Sequence, residues 1–186
     1  MIADVCGKGI PAALFMAVSR TIIHSKGMQG VSAADCLTES NRLLVNSTVN
    51  YMFVTVFYAI FNTKTGLVTY SNAGHNSPHI VRAGGTIEQL PMDRQFMVGA
   101  FEEEVYVEKT LQLEHGDTLV MFTDGVTEAM DSTNRLFGTD RLNNILSGVA
   151  DKSSQEIVEA IKAGITDFVE DAEQNDDITL LVLKRK

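Results

Sequence analysis

The residues best suited to chemistry in this sequence are the acidic side chains of three short segments that lie far apart in the chain. The segments are Ile2–Gly9, Met121–Gly125 and Asn175–Thr179, and each one ends an apolar, strand-like run. A carboxylate that leaves a strand into a turn is held by the sheet but stays open to solvent. Several such carboxylates repel one another unless a cation lies between them. The pattern therefore predicts a hydrated divalent metal site.

The type of ligand narrows the choice of metal. Oxygen ligands favour Mg²⁺ or Mn²⁺, because Zn²⁺ and the later transition metals prefer imidazole or thiolate. Two such ions can bind a water, lower its pKa and neutralise the oxygens of a phosphoryl group. A single Asp-Gly pair is most simply a turn, but three acidic segments at strand ends favour phosphate-ester hydrolysis.

Two other phosphate chemistries lack the residues that they need. The run Gly7-Lys8-Gly9 does not have the spacing of a P-loop. A cysteine-dependent phosphatase loop needs an arginine six residues after its nucleophile, and the residue six after Cys6 is Ala12. We therefore interpret Cys6 as a small loop residue.

His75 lies in a turn between two predicted strands and has two interpretations. A single histidine in a turn is commonly structural, because one hydrogen bond satisfies it. Its loop could also border the pocket, which would make His75 a candidate substrate-binding residue.

Composition excludes several classes of function. The chain has 186 residues, 45% of them hydrophobic, and no linker or repeat divides it, which indicates one domain. Its net charge of −9 argues against nucleic acid as a partner and against acidic membranes. Two cysteines cannot form a disulfide framework, and neither a leader nor a membrane-spanning run is visible. We therefore expect no membrane insertion and a cytoplasmic location.

Helical patterns occur near both ends of the chain, before and after a middle part rich in strands. The first predicted helix has Pro11 at its first position and ends at Lys26-Gly27. Its predicted buried stripe consists of Leu14, Phe15, Val18 and Ile22. A second helix is capped by Ser32 with Asp35 and runs towards Asn46. Further helices are predicted over residues 139–146 and after Ser153-Ser154.

The middle of the chain has the alternation and turns of β-strands. We expect strands over residues 51–61, 67–71, 105–113, 118–123 and 177–183, with a further hairpin around residues 83–85. The turn at residues 114–117 would join two of these strands, so that the series resembles an antiparallel meander. Strands between two groups of helices predict an α+β fold.

Five motifs together resemble a known family. They are DVCGKGIPAAL (residues 4–14), NAGHN (72–76), GDTL (116–119), FTDGVTEA (122–129) and DDITL (176–180). In this order and spacing they look like the SpoIIE/RsbU-type branch of the metal-dependent (PPM, protein phosphatase 2C-like) serine/threonine phosphatases. The resemblance covers essentially the whole chain, and it implies two packed antiparallel sheets flanked by helices, with two metal ions at one edge.

The resemblance also implies a set of metal ligands. Asp4 would bridge two Mn²⁺ or Mg²⁺ ions, and the backbone carbonyl of Val5 would be a further ligand. Asp124 and Asp176 would complete the shell of the first metal. Together with Asp4 they form the implied catalytic set. Two further candidate ligands are Asp177, the less favoured of its pair, and Glu128, which falls where some relatives bind a third metal. His75 stands where those relatives have Asp.

The implied substrate is phosphoserine or phosphothreonine on a regulatory protein, typically a STAS-domain anti-anti-sigma factor. Attack would come from metal-activated water without a phosphoenzyme. Lys8 is a candidate for attracting the phosphoryl group, with a solvated loop lysine as the simpler interpretation.

The chain departs from the family at its start. Relatives have an earlier segment with a Gly-Gly-Asp-Phe-x-Asp-like motif, whereas Asp4 lies only three residues after Met1. The comparison predicts a single SpoIIE-type phosphatase domain over residues 1–186 whose opening strands are missing. The exposed sheet edge would permit a dimer.

Two alternative functions follow from the same residues. A chain with an incomplete site could be a non-catalytic regulatory binding module. The second alternative is a general metal-dependent esterase or nuclease, and the negative charge argues against a polyanionic substrate. The segment at residues 94–99 also differs from the family and is interpreted as a loop variation.

Overall fold

The computed structural model describes residues 1–47, 52–91, 95–172, 174 and 176–186. The elements, in chain order, are β1 (Ile2–Val5), α1 (Gly9–Gly27), α2 (Ala33–Ser47), β2 (Val54–Phe61), β3 (Leu67–Ala73), β4 (His79–Val81), β5 (Ile87–Gln89), β6 (Lys109–Gln112), β7 (Thr118–Phe122), α3 (Asp124–Thr127), α4 (Gly138–Ser147), α5 (Ser154–Val169) and β8 (Leu180–Lys184). They form two compact units, one from residues 1–75 and 92–112 and the other from residues 76–91 and 113–186.

The first unit contains a four-stranded antiparallel sheet in the order β1-β2-β3-β6. The predicted hairpin of β2 and β3 is confirmed, with Asn62 accepting hydrogen bonds in the turn between them. β1 pairs with β2 so that Asp4 lies opposite Thr55. The core combines this sheet with α1 and α2, and its buried residues are Phe15, Ile23, Cys36, Leu37, Leu44, Val54, Val56, Ala73, Val98 and Tyr106.

Helix α1 is present, but two details of its prediction were wrong. It begins at Gly9, so Pro11 is its third residue rather than its first. Its buried face consists of Ala12, Phe15, Ser19 and Ile23. Leu14 and Val18 are instead 63% and 46% exposed. The error has a physical cause, because α1 is apolar on both faces and periodicity alone cannot show which face the sheet covers.

Helix α2 was predicted correctly at both ends. The Ser32 hydroxyl accepts the Asp35 N–H at 3.0 Å and donates to the Asp35 carboxylate at 2.7 Å. These bonds satisfy a backbone donor that the first turn of a helix leaves without a partner.

The second unit contains a four-stranded antiparallel sheet in the order β5-β4-β7-β8. All five residues of β7 are buried, as expected for a central strand. α4 and α5 supply much of the core, and α5 begins with a complete capping box between Ser153 and Glu156. The hairpin of β4 and β5 around residues 83–85 is confirmed.

The strands are antiparallel as predicted, but the meander-like order is interrupted between β6 and β7. β6 pairs with β3 and β7 pairs with β4, so the turn at residues 114–117 joins strands of different sheets. The cause lies in Asp117, whose carboxylate accepts the N–H groups of Glu114 and Ala83, each at 2.9 Å, and contacts Arg82 at 2.8 Å. These bonds attach the turn to the end of β4.

Burial favours a raised pKa for Asp117, but the hydrogen bonds outweigh it and hold the pKa below its ordinary value.

The strand predicted over residues 105–113 is shorter in the structure, because its first half bonds to side chains rather than to a strand. The Tyr106 N–H donates to Thr38 Oγ1 at 3.1 Å, and the Val107 N–H donates to Gln95 Oε1 at 3.3 Å. The predicted positions Tyr51, Arg94 and Asn175 lie outside the described residues.

The fold class is confirmed as α+β with two antiparallel sheets and helices. None of the helices in the described ranges is both long and apolar enough to span a membrane.

Candidate metal centre

Asp124 is the first residue of α3, directly after β7 and the extended residue Thr123. Its side chain is partly buried, and its Oδ1 is a buried atom with no hydrogen-bond partner among the described residues. A buried carboxylate oxygen without a donor is costly unless another positive partner compensates it. The position therefore fits a bound cation.

The Asp176-Asp177 segment lies beside the start of α3. Thr123 Oγ1 donates to the Asp177 carbonyl at 3.0 Å. Gly125 allows this approach, because a Cβ at that position would collide with the Asp177 carbonyl oxygen. The sequence thus brings two of its acidic segments together through a glycine that lacks a side chain and a threonine that bonds to the opposing backbone.

The Asp176 side chain is exposed, and its carboxylate takes part in a hydrogen bond within its own segment. Its Oδ1 accepts the N–H of Asp177 at 2.9 Å, and its carbonyl accepts a hydrogen bond from Gln174 Nε2 at 2.7 Å. An ionised carboxylate has about four acceptor sites, and the exposure of Asp176 makes its carboxylate accessible to an ion. Asp177 is also exposed, and its carbonyl rather than its carboxylate makes the contact with Thr123.

A cavity of about 230 Å³ opens beside these residues in the second unit. Asp176, Glu128 and Glu170 contribute carboxylates to its lining, while Ile165 and Ile178 contribute apolar surface. Glu128 is exposed, which leaves it accessible to a ligand. The cavity therefore combines acidic groups with an apolar wall.

The loop that follows the cavity is fixed by Asp131. Its carboxylate accepts the N–H groups of Thr133 and Arg135 and pairs with the Arg135 guanidinium at 2.7 Å. The Arg135 N–H and the Thr133 hydroxyl in particular hold the pKa of Asp131 well below its ordinary value. Sequence analysis did not single out Asp131, and we assign it a structural role.

Asp4 lies on β1 of the first unit, where the sheet fixes its backbone. The Thr55 hydroxyl lies 3.4 Å from the Asp4 carbonyl oxygen and 2.9 Å from His75 Nδ1. His75 is buried, and Asn72 binds both its N–H and its carbonyl. This environment favours the structural interpretation of His75, in which its ring supports the strand pair that carries Asp4.

The turn after β1 contains the other predicted residues of this unit. Val5 ends the strand opposite Val54, and Lys8 is exposed in the turn. Gly7 and Gly9 have φ angles of 83° and 78°, which a glycine adopts without steric cost. The Cys6 N–H donates to the Phe53 carbonyl at 3.0 Å, and Cys6 Sγ accepts the Phe53 N–H at 3.2 Å. Cys6 is thus an acceptor in the turn, consistent with its interpretation as a loop residue.

The donors around Asp124 fit Mg²⁺ or Mn²⁺. Within the described ranges, no group of three or more Asp, Glu, His or Cys side chains is arranged to hold a metal ion. A hydrated Mg²⁺ does not need such a group, because it keeps several waters and binds through one or two carboxylates. Asp124 Oδ1, for which the described residues offer no hydrogen-bond donor, and the exposed carboxylate of Asp176 meet that requirement.

Sequence analysis missed the roles of Thr123 and Gly125 in this site. The partner of both residues is the Asp177 carbonyl, more than fifty positions away in the sequence. The only local signal was that both belong to the motif around Asp124.

Comparison with known proteins identifies relatives along the whole chain. The family model of Stage II sporulation protein E (SpoIIE) matches residues 1–186. The chain is 33% identical over 186 residues to the phosphoserine phosphatase RsbU of Bacillus subtilis (strain 168). This match covers all of the chain and 55% of RsbU, so the chain spans about half the length of that relative.

Solved structures with the same fold are also phosphatase domains or related proteins. The SiaA-PP2C domain of Pseudomonas aeruginosa matches with a TM-score of 0.84 at 22% identity, over 98% of this chain and 72% of that one. RsbX, whose structure was solved in complex with magnesium, matches with a TM-score of 0.69 at 16% identity, over 97% of this chain and 77% of that one. The chain therefore belongs to the SpoIIE family and has the fold of PP2C-type phosphatase domains.

Proposed function

We propose that this chain is a Mg²⁺- or Mn²⁺-dependent phosphatase domain that hydrolyses phosphoserine or phosphothreonine on a protein. The observation that carries the proposal is the buried Asp124 Oδ1, which has no hydrogen-bond donor in the described part of the chain, beside the exposed Asp176 carboxylate. The similarity to a phosphoserine phosphatase supports the choice of substrate.

The proposed roles combine the local structure of the second unit with the family resemblance. Asp124 and Asp176 would hold one cation, and the resemblance assigns Asp4 and the Val5 carbonyl as further metal ligands. Asp177 and Glu128 are further candidate ligands. When bound, the cations supply a water of lowered pKa and neutralise charge on the phosphoryl oxygens.

Two other residues have supporting roles in this proposal. Lys8, exposed in the turn after β1, attracts the anionic phosphoryl group. His75 supports Asp4 through Thr55 and, since it is buried, does so without needing contact with the substrate.

We further propose that residues 1–186 act as one phosphatase domain in the cytoplasm, on a phosphorylated STAS-domain protein. The negative net charge supports a protein substrate rather than a nucleic acid. β1 is the end strand of its sheet as described, and the dimer expected from the sequence would form through that edge.

Phosphate release from a phosphoserine-containing STAS-domain protein tests the proposed function. We expect release to require Mn²⁺ or Mg²⁺ and to fall by roughly 100-fold or more in Asp4→Asn and Asp124→Asn, because each variant removes a charged ligand. Asp151→Asn is the matched control, since Asp151 has an 81% exposed side chain and no proposed role in the site.

Three results would oppose this assignment. Equal release in excess chelator would rule out the metal-dependent mechanism. Binding of the STAS-domain protein without any turnover would instead support the non-catalytic binding module. Retention on DNA that weakens with salt would support the nuclease alternative.

A further inference from the structure

The strand pair β7–β8 ends at Thr123 in an unusual way. The register places Phe122 opposite Leu180, so Thr123 faces Thr179. Two facing residues of a hydrogen-bonded antiparallel pair normally exchange both N–H···O=C bonds. Here the Thr123 N–H donates to the Thr179 carbonyl at 3.1 Å, but the second bond of the pair is replaced.

The replacement follows from the start of α3. The Thr123 carbonyl accepts the Val126 N–H at 3.1 Å, so the backbone has turned away from β8 to begin the helix. The Thr179 N–H instead donates to Thr123 Oγ1 at 3.0 Å. The side chain thus takes the place of its own carbonyl in the strand pair.

The same hydroxyl uses its hydrogen for a second bond. Thr123 Oγ1 donates to the Asp177 carbonyl at 3.0 Å, and the whole residue is only 2% exposed. This one buried oxygen therefore accepts a hydrogen bond from the Thr179 N–H and donates one to the Asp177 carbonyl. Both partners belong to the segment that follows Asp176. The adjacent residue in the chain is Asp124, so the bonds of this hydroxyl fix the spacing between the two acidic segments.

We infer that Thr123 is a positioning residue for the metal centre, setting the separation of Asp124 and Asp176 without being a ligand. This inference rests on the proposed function for its use in catalysis. Groups that orient metal ligands through hydrogen bonds typically change metal affinity by about 10–100-fold when they are removed. Serine can make both bonds, whereas valine has the shape of threonine but can make neither.

The chain offers a matched control on the same strand. Thr118 begins β7 and is fully buried, and its Oγ1 has no hydrogen-bond partner among the described residues. Thr118→Val therefore makes the same chemical change at a buried position of β7 without removing a hydrogen bond to the acidic turn.

Binding of Mn²⁺ alone, measured from the electron paramagnetic resonance signal of the free ion, tests the inference without a turnover assay. We expect Thr123→Val to weaken Mn²⁺ binding by about 10-fold or more. Thr123→Ser and Thr118→Val should remain within about 3-fold of the unaltered chain, since both keep the bonds that order the turn. Thermal unfolding measured on the same samples reports whether each variant is folded.

A second variant disturbs the spacing in a different way. Gly125→Ala keeps the Thr123 hydroxyl but places a Cβ against the Asp177 carbonyl, so it should also weaken Mn²⁺ binding by about 10-fold. If Thr123→Val does not fold, the comparison of Gly125→Ala with Thr123→Ser decides the question.

The outcomes separate this inference from the proposed function. Unchanged Mn²⁺ affinity in folded Thr123→Val, or in Gly125→Ala, would overturn the positioning role even if the melting temperature falls. An equal loss in Thr118→Val would overturn it as well, because the effect would then not depend on the hydroxyl bonds. Absence of Mn²⁺ binding by the unaltered chain would instead contradict the proposed metal site itself.

Discussion

Side-chain atoms replace backbone acceptors at two strand ends that lie next to proposed metal ligands. Thr123, directly before Asp124, accepts the Thr179 N–H through its Oγ1. Cys6, two residues after Asp4, accepts the Phe53 N–H through its Sγ. In each case the strand stops pairing through its carbonyl while the opposing N–H keeps a partner. A turn can therefore begin at once without leaving a donor unsatisfied.

Cys6 provides a direct test of this interpretation. Cys6→Ala removes the acceptor of the half-buried Phe53 N–H, so we expect the free energy of unfolding to fall by about 1 kcal/mol. Cys6→Ser keeps an acceptor and should lose less than about half of that amount. Urea unfolding of the three proteins measures the difference. Equal stability of Cys6→Ala and the unaltered chain would show that the sulfur bond contributes nothing.

Among the elements, those with local end signals were predictable from the sequence. Ser32 with Asp35 identified the start of α2, and the Ser153 region identified the start of α5. These signals involve residues three positions apart, so a linear sequence contains them completely. The hairpins were predictable for the same reason, because their turns join neighbouring segments.

The elements that could not be predicted depend on distant partners. The buried face of α1 depends on which side the sheet covers, and both sides are apolar. The pairing of β4 with β7 depends on Asp117 reaching Ala83, 34 positions earlier. At the candidate site, the types of ligand were readable from the sequence, but the closeness of Asp124 and Asp176 depends on the Thr123 and Gly125 contacts.

Strand β4 also gives the second sheet a pH dependence. His79 on this strand is buried opposite Val120, and its ring lies 5.4 Å from that of Phe122. Burial lowers the pKa of His79 below its ordinary value of 6.5. The unfolded chain therefore binds a proton at a higher pH than the folded chain does. The contribution to stability is complete above pH 6.5 and declines as the pH falls through that value.

Urea unfolding at pH 7.5, 6.5 and 5.5 measures this effect. We expect the free energy of unfolding to decrease towards pH 5.5. His79→Gln should make the free energy of unfolding less dependent on pH, even though it lowers stability overall. His24→Gln is the matched control, because it makes the same substitution at an exposed position on α1. An identical slope in His79→Gln would assign the pH dependence to other groups.

The charge of the chain makes the proposed cation a contributor to stability as well as to catalysis. Its 24 acidic residues exceed its 15 basic ones, so folding gathers carboxylates in a chain that is already negative. A cation that binds the folded chain but not the unfolded one stabilises it by mass action. The stability should therefore depend on the concentration of free metal rather than on ionic strength alone.

Thermal unfolding in a Mn²⁺ titration tests this dependence. At about 100 times the dissociation constant, Mn²⁺ should add about 2.7 kcal/mol to the free energy of unfolding, and a chelator should remove that gain. Asp124→Asn should lose most of the gain because the uncharged amide is a poorer ligand, while Asp151→Asn should keep it. If Mn²⁺ and NaCl of equal ionic strength raise the melting temperature by the same amount, then screening of charges, and not a specific site, stabilises the chain.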